Sequence, residues 1–371
     1  MKLFFSTTLI FILSFSFGQV SNKISIGTVD SVYSKILKEN REIWVYVPDN
    51  AKNNPKQKYP VVYLLDGNNY FHSFTGVVSH LSEVNGNAII PDMIVIGIVN
   101  TNRGRDLTIS YDSLSNYKPN GGAELFTSFI EKELIPYIEY HYSTAPYRML
   151  VGHSLGGLFV TNTLLKHTSL FNSYLALDPS FDWDKKKLLL ESKSIMANDK
   201  FENKSFFLGG SSLCIESNNE FEAILKSNAP PSLNWTSKYY NEDSHGSIPL
   251  IGSYDGLRFI FKFYKRPSFV NMTDSSANIL ATHYENLSKK MGFTIYPPED
   301  LIIGLAWRCR VFDKKYDRAY SFLEIAEKYY PESAAVYSAL GDLFFDMGET
   351  EKSKKYFEKA QELTTTEEQT K

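Results

Sequence analysis

Several stretches of this chain run apolar without a polar break and end at Gly, Asp or Asn. Residues 59–67 (Tyr-Pro-Val-Val-Tyr-Leu-Leu-Asp-Gly) and 93–99 (Met-Ile-Val-Ile-Gly-Ile-Val) are two of them. Residues 148–152, 173–177 and 205–208 repeat the signature. Continuous apolar runs of this length read as strands buried on both faces. Residues 24–47 differ: Arg41-Glu42-Ile43-Trp44-Val45-Tyr46-Val47 alternates polar and apolar, as a half-buried strand pair does. Between the runs lie stretches of helical periodicity at 123–140, 155–167 and 218–227. A last strand at 235–240 leads to a helix over 247–264, with Ser247 as N-cap and Pro249 in its first turn. Strands alternating with helices predict an α/β fold with a mainly parallel central sheet covered on both faces.

Beyond residue 265 the pattern changes. A linker over 266–276 gives way to Ala, Glu, Lys and Tyr at helical spacing over 277–365. Residues 34 apart correspond: Phe322 with Tyr356, Leu323 with Phe357, Ala326 with Ala360. That is the period of a tetratricopeptide repeat, and Tyr337, Leu340, Gly341 and Phe344 fit the first helix of one. A self-supporting array needs three or more units. The reading is therefore a helical cap on the main domain, 24–265, with protein contact through its helices as the alternative.

One of the apolar runs carries chemistry. Gly152-His153-Ser154-Leu155-Gly156 follows a strand and opens a helix, so Ser154 sits on a sharp strand-to-helix turn that only small neighbours permit. A serine hydroxyl needs a base, and the base needs an orienting acid. Of the histidines, His245 alone follows the last core strand on a loop ahead of a capped helix, as the order Ser, acid, His requires. The acid should lie between them at a strand end. Glu216 in the loop after residues 205–208 is the first choice and Asp178 the second, while Glu220 and Glu222 fall on the start of a helix and suit its dipole. The oxyanion donors expected are the backbone amide of Leu155 and Asn68, in the loop after Asp66-Gly67.

Bulk properties narrow the rest. At 371 residues, 43% of them hydrophobic, the chain can build a main domain and an appendage. A formal net charge of -3 and no basic stripe set nucleic acid aside. Cys214 and Cys309 are too few and too far apart for a disulfide framework or a metal site, and are expected to be free. Lys2 followed by a nearly uncharged run over 3–17 reads as a signal peptide, residues 1–19, and predicts export to a periplasmic or secreted location without stable membrane insertion.

Several stretches resemble the esterases of the esterase D and enterochelin esterase group. They are Ser34-Lys35-Ile36-Leu37 with Arg41-Glu42-Ile43, Val62-Tyr63-Leu64-Leu65-Asp66-Gly67, Asn100-Thr101-Asn102-Arg103-Gly104-Arg105-Asp106, Gly152-His153-Ser154-Leu155-Gly156-Gly157, Asp178-Pro179-Ser180 and Asp243-Ser244-His245-Gly246. The branch with a C-terminal tetratricopeptide-like tail is similar through most of the chain. The resemblance implies an α/β-hydrolase with Ser154 as nucleophile, His245 as base, and Asn68 and Leu155 as oxyanion donors. It gives no match for the acid. Arg103 and Arg105 follow a core strand and could hold an anionic substrate; the other reading is an internal ion-pair network with Asp106. The expectation is a serine esterase using no metal or cofactor and acting on a small-molecule ester, a siderophore or carbohydrate ester among the options. An inactive exported binding protein acting through its helical tail, and an acyltransferase, are the alternatives.

Overall fold

The fold is described from a computed structural model, covering residues 24–49, 51, 57–82, 84, 88–197 and 201–369. The expected signal peptide lies outside the described residues. Eight strands form one sheet in the order β1-β2-β4-β3-β5-β6-β7-β8. They are β1 Thr28–Ser34, β2 Glu39–Tyr46, β3 Tyr59–Leu64, β4 Ile94–Ile98, β5 Thr144–His153, β6 Ser173–Leu177, β7 Lys204–Gly210 and β8 Leu233–Tyr239. β1 and β2 pair antiparallel with their neighbours, and every pairing from β4 to β8 is parallel.

The strand order places the site. The chain leaves β3 toward β4 on one side, whereas it leaves β5 toward β6 on the other. The loops after the adjacent strands β3 and β5 therefore diverge at the carboxyl ends of the strands, the position at which open sheets of this kind bind their ligands.

The buried runs divide strictly between two faces. Val61, Tyr63, Leu150, Tyr174 and Phe206 point to one core, together with Phe126, Phe129, Leu158, Phe159, Leu188 and Phe221. Those come from helix α3 (Ala123–Phe129, continuing through a π turn at Ile130–Leu134 into Ile135–His141), α4 (Leu155–Lys166), α5 (Trp183–Met196) and α6 (Ile215–Asn228). Val62, Leu64, Val95, Met149, Leu175 and Phe207 point the other way, onto α1 (Gly67–Ser82) and α7 (Ile248–Ile260). The short α2, Arg103–Leu107, is capped by the Asn102 side chain.

The second core does not stop at α7. Leu257 and Ile260 belong to the same apolar cluster as Leu280, Tyr284, Ile302, Phe322 and Leu340 of the C-terminal helices. These are α8 Ser276–Met291, α9 Glu299–Val311, α10 Tyr316–Tyr329, α11 Ala334–Asp346 and α12 Thr350–Gln369. Helices α9 with α10 and α11 with α12 form the closest pairs. The stretch expected as a linker is pinned to them: Arg308 donates to the carbonyls of Phe269 and Val270, and Arg318 to that of Met272. Cys214 and Cys309 are free.

Arg41 is almost fully buried, at 1% exposure, and donates to Asp106 at 2.6 Å and to Glu39 at 2.9 Å, with its guanidinium over the Phe126 ring. Arg105 joins the same group, bonding Asp106 at 2.7 Å and Glu39. This network ties β2 to the loop after β4. Removing one partner of a buried pair strands the other charge. Arg41→Ala should therefore lower the unfolding free energy by about 3–5 kcal/mol in urea titrations; a loss below about 1 kcal/mol would show that Asp106 is solvated by other means.

Candidate active site

β5 runs straight into Ser154, whose backbone (φ 60, ψ -119) lies in a region that non-glycine residues rarely enter. A Cβ on Gly152 would lie 2.5 Å from the Gly156 backbone, so the turn closes only with glycine there. The Ser154 amide donates to the Leu177 carbonyl at 2.9 Å. The Leu155 amide, in the first turn of α4, belongs to the group of helix-start amides that have no acceptor within the helix. The Ser154 hydroxyl is partly accessible and lies 3.3 Å from that of Ser180.

The loop after β8 brings His245 to this end of the sheet, and its Nδ1 is 3.0 Å from Oδ2 of Asp178. Asp178 directly follows β6, is fully buried and has φ 42. The Ser211 amide (2.6 Å), the Ser211 hydroxyl and the Asn218 side-chain amide (3.2 Å) also donate to it. Burial pushes this carboxyl up, but the hydrogen bonds from His245 and Ser211 outweigh it and hold it below its ordinary range.

The carboxylate that His245 touches is therefore Asp178 and not Glu216, the first choice from sequence. Glu216 lies exposed in the first turn of α6 and makes no contact with His245 among the described residues. A carboxylate there favours the helix dipole. Ser211 and Asn218, which hold Asp178, were missed by sequence reasoning. Only their place between Ser154 and His245 could have signalled them.

The loop after β3 supplies the other wall. Asp66 (φ 54, 1% exposed) accepts from Arg103 Nε at 2.6 Å, from Arg103 Nη2 at 3.1 Å and from Asn100 at 2.5 Å. Arg103 also reaches the His153 carbonyl at 3.3 Å. A Cβ on Gly156 would come within 3.3 Å of Asp66 Oδ2, so Asp66 lies directly against the start of α4, and Asn68, expected on a loop, falls in the first turn of α1 just after it. Asn68 is exposed, and its side chain contacts Asn69 and Asn100. Arg103 and Arg105 are thus committed to internal ion pairs; of the two sequence readings, the geometry matches the network.

His153 is buried, hydrogen-bonded through Nδ1 to the Tyr70 hydroxyl at 2.9 Å, with its ring 4.3 Å from that of His245. Ring nitrogens of these two histidines and a carboxylate oxygen of Asp178 lie within 4.8 Å of one another, which makes them the group that could hold a metal among the described residues. Asp178 is already saturated by hydrogen donors, an arrangement that orients an imidazole rather than waits for an ion.

Burial, and secondarily the nearby His245, push the His153 imidazole down to about 4. The unfolded chain protonates near 6.5 and the folded one near 4, so between these values the unfolded state binds the extra proton. The contribution is complete above pH 6.5 and is lost as pH falls toward 4. Acidification from pH 7 to 4.5 should cost about 2–3 kcal/mol from this group alone. Urea titrations at both pH values should show a shallower pH dependence in His153→Gln by that amount; parallel curves would mean that His153 takes up its proton in the fold at the same pH as in the unfolded chain.

The "Putative esterase" family model matches residues 34–280. The ferri-bacillibactin esterase BesA of Bacillus subtilis is 33% identical over 205 residues, 50% of this chain and 70% of that protein. The siderophore enterobactin esterase of Emericella nidulans is 30% identical over 154 residues, 37% of this chain and 51% of that one. An IroE-like serine hydrolase from Shewanella oneidensis has a similar structure, with TM-score 0.71, 30% identity and coverage of 82% of this chain and 99% of its own. An uncharacterised protein from Capnocytophaga ochracea shares the fold over 90% of this chain and 93% of its own, at TM-score 0.64 and 18% identity. The esterase model spans β2 to β8 and every residue of the Ser154 site, so the chain belongs to that family and, like the relatives at 30% identity or more, is a serine hydrolase of carboxylic esters.

Proposed function

We propose that Ser154 is the nucleophile, His245 the general base and Asp178 the acid that orients it. The observation that carries this reading is the 3.0 Å contact of Asp178 with His245 Nδ1 beside a serine held in a strained turn. With Nδ1–H directed to Asp178, His245 Nε2 is left to take the Ser154 proton. The hydroxyl leaves Ser180, attacks the ester carbonyl, and the oxyanion is met by the Leu155 amide and by Asn68. His245 then returns the proton to the departing alcohol, and water attacks the acyl-enzyme by the same route in reverse.

Siderophore lactones are the substrate class we favour. The names of the B. subtilis and E. nidulans relatives support it, since they are called esterases of ferri-bacillibactin and enterobactin. We further propose export, supported by Lys2 and the apolar run over 3–17. The C-terminal helices are taken as a tetratricopeptide-like cap, supported by the 34-residue correspondence and by the core they share with α7. Protein contact through them would fall at an open cavity of about 950 Å³ lined by Tyr59, Tyr264, Tyr296 and Trp307, at the end of the sheet remote from Ser154.

A fluorophosphonate probe should label the wild type, and Ser154→Ala should abolish labelling and lower kcat by about 10⁶. Asp178→Asn should lower kcat by about 10³–10⁴, whereas Glu216→Gln should stay within about twofold. Equal small losses at both acids would remove Asp178 from the triad. Turnover of enterobactin and bacillibactin, compared with acetylated and feruloylated polysaccharides, tests the substrate class.

A further inference from the structure

Asp184, Lys185 and Lys186 are three consecutive non-glycine residues in the left-handed conformation, with φ of 47, 57 and 63. Single residues visit this region at a cost of about 1–2 kcal/mol each, and runs of them are not ordinary structure. Such strain persists only where the surroundings over-determine it, and here they do. The Ser110 hydroxyl donates to Asp184 at 2.6 Å, the Trp183 indole to the Ser110 carbonyl at 3.1 Å, and the Ser217 hydroxyl to Asp182 at 3.2 Å. Lys186 is clamped to Glu220 at 2.5 Å. Each neighbour of Lys185 is tied down, while Lys185 itself is exposed and has no partner among the described residues.

The position of this turn matters. It begins just after Ser180, whose hydroxyl is 3.3 Å from that of Ser154. Trp183 in the same segment lies 6.5 Å, ring to ring, from Tyr117 of the loop that packs on Gly104. The neighbouring cations have partners: Arg103 pairs with Asp66, Arg105 with Glu39 and Asp106, Lys186 with Glu220, Lys187 with Asp184 at 3.9 Å, and Lys118 donates to the carbonyls of Asp112 and Ser113.

We infer that the left-handed turn at 184–186 is a substrate-recognition element, in which Lys185 binds an anionic group of the ester and the Trp183–Tyr117 pair offers it an aromatic surface. The inference rests on the assignment of Ser154 as nucleophile. The strain thus has a use: it fixes the backbone that carries an exposed cation on the segment following Ser180, where pairing with a substrate anion adds to transition-state binding.

The test compares esters that differ by one carboxylate. On the acyl side the pair is 4-nitrophenyl hemisuccinate and 4-nitrophenyl butyrate; on the alcohol side it is 4-carboxyphenyl acetate and phenyl acetate. The readout is the ratio of kcat/KM for the anionic over the neutral member. Lys185→Gly removes the charge while glycine keeps the left-handed backbone at no steric cost. Its Tm should be no lower than that of the wild type. In at least one pair the ratio should fall about tenfold in Lys185→Gly, fall further in Lys185→Glu, and return to within about twofold of the wild type in Lys185→Arg. Lys185→Glu, which reverses the charge, decides the case whatever the stability of the glycine variant: ratios within about twofold of the wild type in both pairs would overturn the inference. Failure of the wild type to cleave the neutral esters and to take a fluorophosphonate label would instead overturn the assignment of Ser154.

Discussion

A fully buried carboxylate cannot be left without donors, and the Asp178 side chain organises one end of this molecule around that constraint. It receives the Ser211 amide and hydroxyl, the Asn218 amide and the His245 ring. Those donors come from the loop after β7, from α6 and from the loop after β8. One unpaired charge would therefore draw three separate segments together over the end of the sheet. His245 is the partly exposed member of the set, at 28%, and hence the one able to reach a substrate while its inner nitrogen stays fixed.

The opposite wall follows the same logic with a cation added. Asp66 is as buried as Asp178, but its charge is met by the Arg103 fork and by Asn100. A bidentate pair of this kind fixes direction as well as distance. Through it, and through the contact of Arg103 with the His153 carbonyl, the start of α1, which bears Asn68, is held against the residue that precedes Ser154. Arg103 is thereby spent on architecture.

What could be read in the sequence follows from what is local. The apolar runs predicted the strands to within a few residues, because burial on both faces leaves no polar position to blur the signal. Ser154 and His245 were legible since a strand-turn-helix with glycines, and a loop before a capped helix, are local patterns. The partner of His245 was not. Asp178 and Glu216 both follow strands, and only the three-dimensional closure of the loops after β7 and β8 over β6 distinguishes them. The turn at 184–186 was equally hidden: a run of lysines carries no signature of left-handed backbone, which is imposed by Ser110, Ser217 and Glu220 from other elements.

The same reasoning explains why the C-terminal helices cannot be peeled from the main domain without consequence. The face of the sheet that carries Val62, Leu64 and Met149 is covered by α1 and α7, and these share one continuous apolar cluster with α8 to α12. The helix that follows His245 is thus packed between the sheet and the cap. Its start fixes the histidine loop, with Ser247 bonded to Asp243 and to the Ser244 amide, and its later turns, at Leu257 and Ile260, lie in the shared core. Both α1, which follows Asp66, and α7, which follows His245, join that core directly after a wall of the site. Through α7 the C-terminal helices share one core with the element that begins beside His245.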